Sequence, residues 1–464
     1  MMFKLITGRK WLRKSVCAKK QKREEDKISG LPDEVLLSIL SLLSMKEAAR
    51  TSVLARRWRK VWTFIPNLDF DPSQVFRSLA LKERRKILGA RDNKMLVDKY
   101  IDWVNLALEA YQGYSVDEFR VQFDLDEKHS CHIDKWVYFA FEKKVKRLVM
   151  EFQEYSMATY NKKLYSFPPL CDTTFKSRRS LTALDLIGVN ISGCVVEYFI
   201  ASCPSLRQLS VEYSDSMVGL KVSGESLCLE YLKLAYCDNL RSIYISAANL
   251  LSFEYRGLGA KITFANVPKL VELSFRGNYS EYIIRNFPQL SNFASQLVTL
   301  KLAVPQLEEK VKRRKFPLLA HLNNFELKVY GREFETLLAF APLIEAAPSL
   351  VRFALDFCWI ELTLKKMRSR RNRKKTPKCL HHCLKEVEFD GFVGHAIDME
   401  FAIYLIQNAI ALEKIIIAPM DSYRMGRCPF VDDISKEIQI IKEQVMKLES
   451  EFSLGDKLIL RNFW

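Results

Sequence analysis

"LRQLSVEYSDSMVGLKVSGESLCLEYLKL", residues 206–234, opens and closes on the same six-residue phrase: an aliphatic residue, two variable ones, a hydrophobic one, one variable and a hydrophobic one. The copies LRQLSV and LEYLKL start 23 residues apart. Alternation at the end of the phrase suits a short strand with one buried face, and the spacing suits a unit stacked on its own copy. Outward from this pair the phrase recurs as VDEFRV from 116, VKRLVM from 145, LTALDL from 181, LLSFEY from 250, LVELSF from 270, LVTLKL from 297, LNNFEL from 322, LVRFAL from 350, LKEVEF from 384 and LEKIII from 412. The intervals run from 20 to 36 residues, most of them inside the leucine-rich-repeat range.

A single unit of this kind cannot bury its apolar face alone. The pattern therefore predicts stacked units, each placing a strand on one face and returning by a helix or loop. A globular α/β domain with a dozen unrelated strands is the competing architecture. VVEYFIASCPSL, 195–206, predicts a return helix ending at Cys203 and Pro204. DDISKEIQIIKEQVMKLES, 432–450, predicts an amphipathic helix with Ile434, Ile438, Ile441, Val445 and Leu448 on one face, placed to cap the open end.

A different pattern fills residues 27–71. Pro32 suits a first helical turn and Asp33 and Glu34 complement its dipole. Val35, Leu36, Leu37, Ile39, Leu40, Leu42 and Leu43 then cover an arc of roughly 220°, about twice what a surface helix needs. Ser44 and Glu47 have capping-box spacing, so a second helix through Ala48, Ala49, Val53 and Leu54 should begin there. ARRWRKVW then places Trp58 and Trp62 one turn apart. Three short helices in about forty residues fall below the size of a self-sufficient core, so the surplus apolar arc should face a partner.

This segment resembles an F-box of the plant type, on Leu31, Pro32, Asp33, Glu34, Ile39, Leu40, Ser41, Leu43, Lys46, Glu47, Ala48, Thr51, Ser52, Leu54, Arg57, Trp58 and Trp62. Ser44 departs from the proline common there. The cysteine, proline and leucine-rich strand junction at 203–206 resembles plant F-box proteins with leucine-rich repeats. Residues 383–419 resemble the FBD motif of the same family, a strand, helix and strand unit, on Leu384, Val387, Phe389, Gly391, Phe392, Gly394, Glu400, Leu405, Asn408, Ala409, Leu412 and Ile415. The fold class expected is α/β, an N-terminal three-helix F-box followed by an irregular leucine-rich-repeat solenoid. Its parts would be a basic leader at 1–26, the F-box at 27–72, a helical linker at 73–115, repeats at 116–380, the FBD motif at 381–420 and a tail with a capping helix at 421–464.

The resemblance implies a Skp-type adaptor as partner and, through it, a cullin and a ubiquitin ligase. Adaptor-binding residues would be Leu31, Pro32, Glu34, Leu36, Ile39, Leu40, Leu43, Val53, Leu54, Arg57 and Trp58. In the repeats the apolar positions point inward, so their alternating neighbours must point out. These are Gln208, Ser210, Glu212, Tyr231, Lys233, Glu254, Glu272, Arg276, Lys301, Glu326, Lys328, Arg352 and Asp356. Their mixed charges and scarce aromatics suit a polar target protein or peptide of unknown identity.

Composition bounds the rest. Eleven cysteines without a framework point to reduced thiols, and no apolar run reaches the ~18 residues of a membrane span. The net charge of +17 is local: residues 1–23 and 365–378 each hold nine Lys or Arg and no acid, and outside them the sum is −1. The 365–378 run reads as an inserted loop that serves as a nuclear import signal, a phosphate-binding patch or a solvated loop. Nucleus or cytoplasm is the expected location. A nucleic-acid-binding or scaffold protein using these basic runs is the alternative function.

CLHHC, 379–383, is the cluster that most invites a metal, but its spacing is too tight for paired zinc ligands, and HSCH, 129–132, is weaker. No phosphate loop, nucleophile elbow or dinucleotide fingerprint occurs. No catalytic residue, metal or cofactor is expected, and the chain reads as a non-catalytic subunit.

Overall fold

The structure, a computed structural model, describes residues 28, 30–75, 94–152, 163–168, 178–224, 227–286, 294–304, 316–331, 337–359, 379–394, 396–419 and 434–461. Both basic runs lie outside them. The chain divides into two compact units, Met1–Ile65 and Pro66–Trp464.

The second unit is built on one parallel sheet, fourteen-stranded among the described residues, with its strands in chain order. They are β1 (Asn67–Phe70), β2 (Glu118–Gln122), β3 (Arg147–Glu151), β4 (Ala183–Ile187), β5 (Gln208–Glu212), β6 (Tyr231–Ala235), β7 (Ser252–Arg256), β8 (Glu272–Arg276), β9 (Thr299–Val304), β10 (Asn324–Gly331), β11 (Arg352–Trp359), β12 (Glu386–Phe392), β13 (Lys414–Pro419) and β14 (Leu458–Leu460). Each of the twelve six-residue phrases becomes a strand that starts at its third residue.

Register explains why the phrase is apolar where it is. Its fourth position forms an unbroken column through Phe119, Leu148, Leu184, Leu209, Leu232, Phe253, Leu273, Leu300, Phe325, Phe353, Val387 and Ile415, each paired with the next. The sixth position runs parallel to it from Val121 to Ile417. All of these side chains are buried, as are the leading residues from Val116 to Leu412. Each apolar side chain is thus covered above and below by its counterpart in the neighbouring unit, which no unit could achieve alone. A dozen unrelated strands would not align this way.

Helices return the chain from β2, β4, β12 and β13: Ser130–Glu142, Gly193–Ser202, Ala396–Asn408 and Ile434–Phe452. The helix before Cys203 and Pro204 ends as its sequence predicts, with Cys203 at its C-cap. Between β5 and β8 the returns are strands instead, Gly219–Ser223, Ser242–Ser246 and Lys261–Asn266, joined in a second parallel sheet. Those are the shortest intervals, 23, 21 and 20 residues. An extended chain crosses the layer at about 3.3 Å per residue against 1.5 Å for a helix, so a short return favours a strand.

Three expectations change. The F-box boundary at 72 moves forward, because Asn67–Phe70 pairs in parallel with β2 as the first strand of the sheet. The segment 73–115 is more than a linker: helix Lys94–Ala110 is the crossover from β1 to β2, and the buried Tyr100 hydroxyl donates to the Phe70 carbonyl at 2.7 Å and accepts from the Gln122 N–H at 3.1 Å. The helix expected to cap the open end is followed by β14, which pairs on β13, so it is another crossover.

The strand, helix and strand at 386–419 continue the same sheet. Its glycines have specific work. Gly391 sits at φ +74°, and a Cβ there would lie 2.3 Å from the Phe357 carbonyl oxygen. Gly394, at φ +70°, opens a turn whose Val393 and Gly394 N–H groups both donate at 2.9 Å to the fully buried Asp398 carboxylate. Burial pushes the Asp398 carboxyl up to about 7, against the opposing pull of those N–H donors. Asn408, also buried, accepts from the Cys379 N–H and donates to the Tyr404 carbonyl.

Candidate functional site

In the first unit, helix α1 (Asp33–Leu40) is shorter than its apolar run, which continues through a turn. Pro32 stands at its N-cap, one residue before the expected position, and its carbonyl accepts from Val35 and Leu36. The capping box forms: Ser44 Oγ accepts from the Glu47 N–H, and Glu47 Oε2 accepts from the Ser44 N–H, both at 3.3 Å. Helix α2 (Met45–Arg50) gives way to a tighter turn at Thr51–Val53 instead of continuing through Leu54, and α3 (Trp58–Val61) follows. Arg57 Nη2 lies 2.6 Å from Asp33 Oδ1, tying the start of α1 to the start of α3.

Packing sorts the expected adaptor residues into two sets. Leu36, Leu40 and Trp58 are buried in the small bundle and are not available to a partner. Leu31 is half-buried, while Pro32, Glu34, Ile39, Leu43, Val53, Leu54 and Arg57 are exposed. Val53 and Leu54 are 73% and 68% exposed, and Leu42, absent from the expected set, is 86% exposed. Val35 is exposed too. The apolar arc therefore exceeds what the bundle covers, and the surplus faces outward.

The outward positions of the long sheet carry a ladder of charge pairs between neighbouring strands. Lys233 lies 2.6 Å from Glu212, Arg276 3.4 Å from Glu254 and Lys301 2.8 Å from Glu272. Lys328 pairs with Asp356, and Arg352 with Glu326 at 3.8 Å, Glu386 at 3.0 Å and Glu388 at 2.6 Å. Gln208 accepts from Arg147, and the Tyr231 hydroxyl donates to Glu254 at 3.4 Å. Every residue expected to face the target, Ser210 apart, thus has a partner on another strand. Glu212 and Ser210 are themselves buried, so neither offers much surface to a ligand. Sequence spacing alone does not show the pairing, because partners 20 or more residues apart meet only through the register.

Between β2 and β6 the same face holds a cavity of about 350 Å³ lined by Glu118, Arg120, Arg147, Asp185, Glu212 and Lys233, among others. Burial pushes the Asp185 carboxyl up, opposed by Arg147 at 2.5 Å and by Lys233. At CLHHC, His381 is buried with its Nε2 3.1 Å from the Tyr404 hydroxyl, and burial lowers its pKa, while Cys383 is exposed. Among the described residues no group of His, Cys, Asp or Glu is arranged to hold a metal, and no helix is long and apolar enough to cross a membrane.

Residues 28–68 match the F-box domain, and residues 166–459, more than half of the chain, match the leucine-rich-repeat domain described as At1g61320/AtMIF1. The chain belongs to the F-box, leucine-rich-repeat family. F-box/FBD/LRR-repeat protein At2g04230 of Arabidopsis thaliana is 28% identical over 459 residues, covering 91% of this chain and 95% of its own. FBD-associated F-box protein At1g66310, from the same plant, is 24% identical and covers 89% and 94% respectively. Both relatives are matched over nearly their whole length, and the strand, helix and strand unit at 386–419 lies inside the leucine-rich-repeat match.

Proposed function

We propose that this F-box protein is the substrate-receptor subunit of a Skp, cullin and F-box ubiquitin ligase. The observation that carries the reading is the outward set Ile39, Leu42, Leu43, Val53 and Leu54, apolar area that a folded bundle leaves in water. Burying such area is favourable by about 25 cal/mol per Å², and the F-box family supplies a Skp-type adaptor to bury it. The repeats would hold a target protein on the charged face of the sheet. The chain then contributes proximity: a tethered target meets the ubiquitin-conjugating enzyme at a raised effective concentration, and no bond is made or broken by the receptor itself. Nucleus or cytoplasm is the proposed location.

Mixing the purified full-length chain with a recombinant Skp adaptor tests this. Co-elution is expected, and it should be lost in Leu42→Glu with Leu54→Glu while the circular dichroism spectrum stays unchanged, because neither side chain packs the bundle. A wild-type chain that never co-elutes with an adaptor would remove the reading.

A further inference from the structure

The cavity on the charged face runs across the strands from β2 to β6, and its two ends differ. Each of its three cations has a carboxylate: Arg120 with Glu151 at 3.5 Å, Arg147 with Asp185 at 2.5 Å and Lys233 with Glu212 at 2.6 Å. Glu118, on the β2 wall, is half-buried and has no ion pair among the described residues. That end therefore carries one negative charge in excess.

Towards the other end, on β5, Ser210 lines the cavity and is only 5% exposed, and its hydroxyl has no hydrogen-bond partner among the described residues. Its register partners are Asp185 on one side and Lys233 on the other. A hydroxyl so nearly withdrawn from water costs stability until something bonds it. The sheet repeats the triplet as Glu254, Ser274 and Lys301, but there the serine hydroxyl is buried outright and lies outside this cavity. A serine between an acid and a lysine does not open a site by itself; at Ser210 the space above it is kept. Val149 and Ile187 line the middle of the cavity. Three strand spacings of about 4.8 Å, with a shift of about two residues along the strand, put the Glu118 and Ser210 ends roughly 15 Å apart, the span of about four to five extended residues.

Building on the receptor reading, we infer that this trough takes an extended segment of the target protein lying across the strands, with a lysine or arginine at Glu118, a small apolar residue over Val149 and Ile187, and a serine, asparagine or glutamine at Ser210. The remaining charges of the lining neutralise one another, so these three points set the sequence that is read.

Fluorescence anisotropy on the full-length chain tests this with the labelled peptide Lys-Gly-Val-Gly-Asn, its reverse order, and copies of both with glutamate in place of lysine. One order of the lysine peptide should bind, and neither glutamate copy should. Glu118→Gln should weaken that binding about tenfold, and Ser210→Ala about fivefold, with the second loss vanishing when alanine replaces the peptide asparagine. Ser274→Ala, the same exchange at the closed triplet, should leave binding unchanged. No binding of either order, equal binding of the glutamate copies, or losses in Glu118→Gln and Ser210→Ala no larger than in Ser274→Ala would each overturn the inference. Adaptor co-elution of the same samples reports separately on the receptor reading.

Discussion

Arg352 Nη2 lies 2.6 Å from Oε2 of Glu388, across the junction between β11 and β12. Ala354 is the backbone register partner of Glu388, so the guanidinium reaches diagonally and meets Glu386 on the same strand. Arg461 approaches Glu388 from the other side at 2.5 Å. The strand, helix and strand at 386–419 is thereby joined to the preceding strands by side chains as well as by the continuous sheet.

Arg352→Ala should lower stability by about 1–3 kcal/mol, the range for hydrogen bonds to charged groups, because three carboxylates lose a shared donor. A double-mutant cycle with Glu388→Gln, read by denaturant midpoint, should show a coupling of roughly 0.5 kcal/mol or more. Strict additivity would mean that the pair does not join the two parts.

Asp398 predicts a pH dependence. Its carboxyl is raised from 3.8 to about 7 by burial, so the folded state holds a proton that the unfolded chain releases near pH 4. Its contribution is full below pH 4 and is lost as pH rises toward 7, by roughly 4 kcal/mol for three pH units. Denaturation midpoints should therefore fall over that window, and Asp398→Asn should flatten the fall. An equal slope in the variant would assign it to other groups.

Gly391→Ala should be strongly destabilising. The new methyl would collide with the Phe357 carbonyl at 2.3 Å and φ is positive, so relief requires moving β11 from β12. Thermal melting of the soluble variant checks this, and a midpoint equal to wild type would contradict the geometry. Gly455→Ala is the control: φ is also positive there, but nothing lies within 4 Å of the added carbon.

Much of this architecture was legible because the phrase has period 2 at its end and recurs. Other strands show where the signal stops. Ile65, Leu68 and Phe70 obey the same spacing but overlap the end of the F-box pattern. β14 offers only Leu458 and Leu460, with Gly455 in the leading slot. The strand returns do alternate, as Leu220 with Val222 and Ile243 with Ile245, yet such short runs are ambiguous alone. At the F-box, periodicity revealed a surplus of apolar residues but could not say that Leu36 and Leu40 turn inward while Leu42 and Leu43 turn out. The charge ladder was invisible for a different reason: it depends on register between units.

If the F-box surface meets a Skp adaptor through apolar side chains, calorimetric titration of adaptor into the full-length chain at low and high salt should give an affinity nearly independent of salt. Ile39→Glu with Leu54→Glu should reduce it about a hundredfold or more, since two outward apolar contacts are replaced by buried charge. An affinity that the double variant leaves unchanged, or that falls steeply with salt as phosphate binding by the basic runs would, contradicts it.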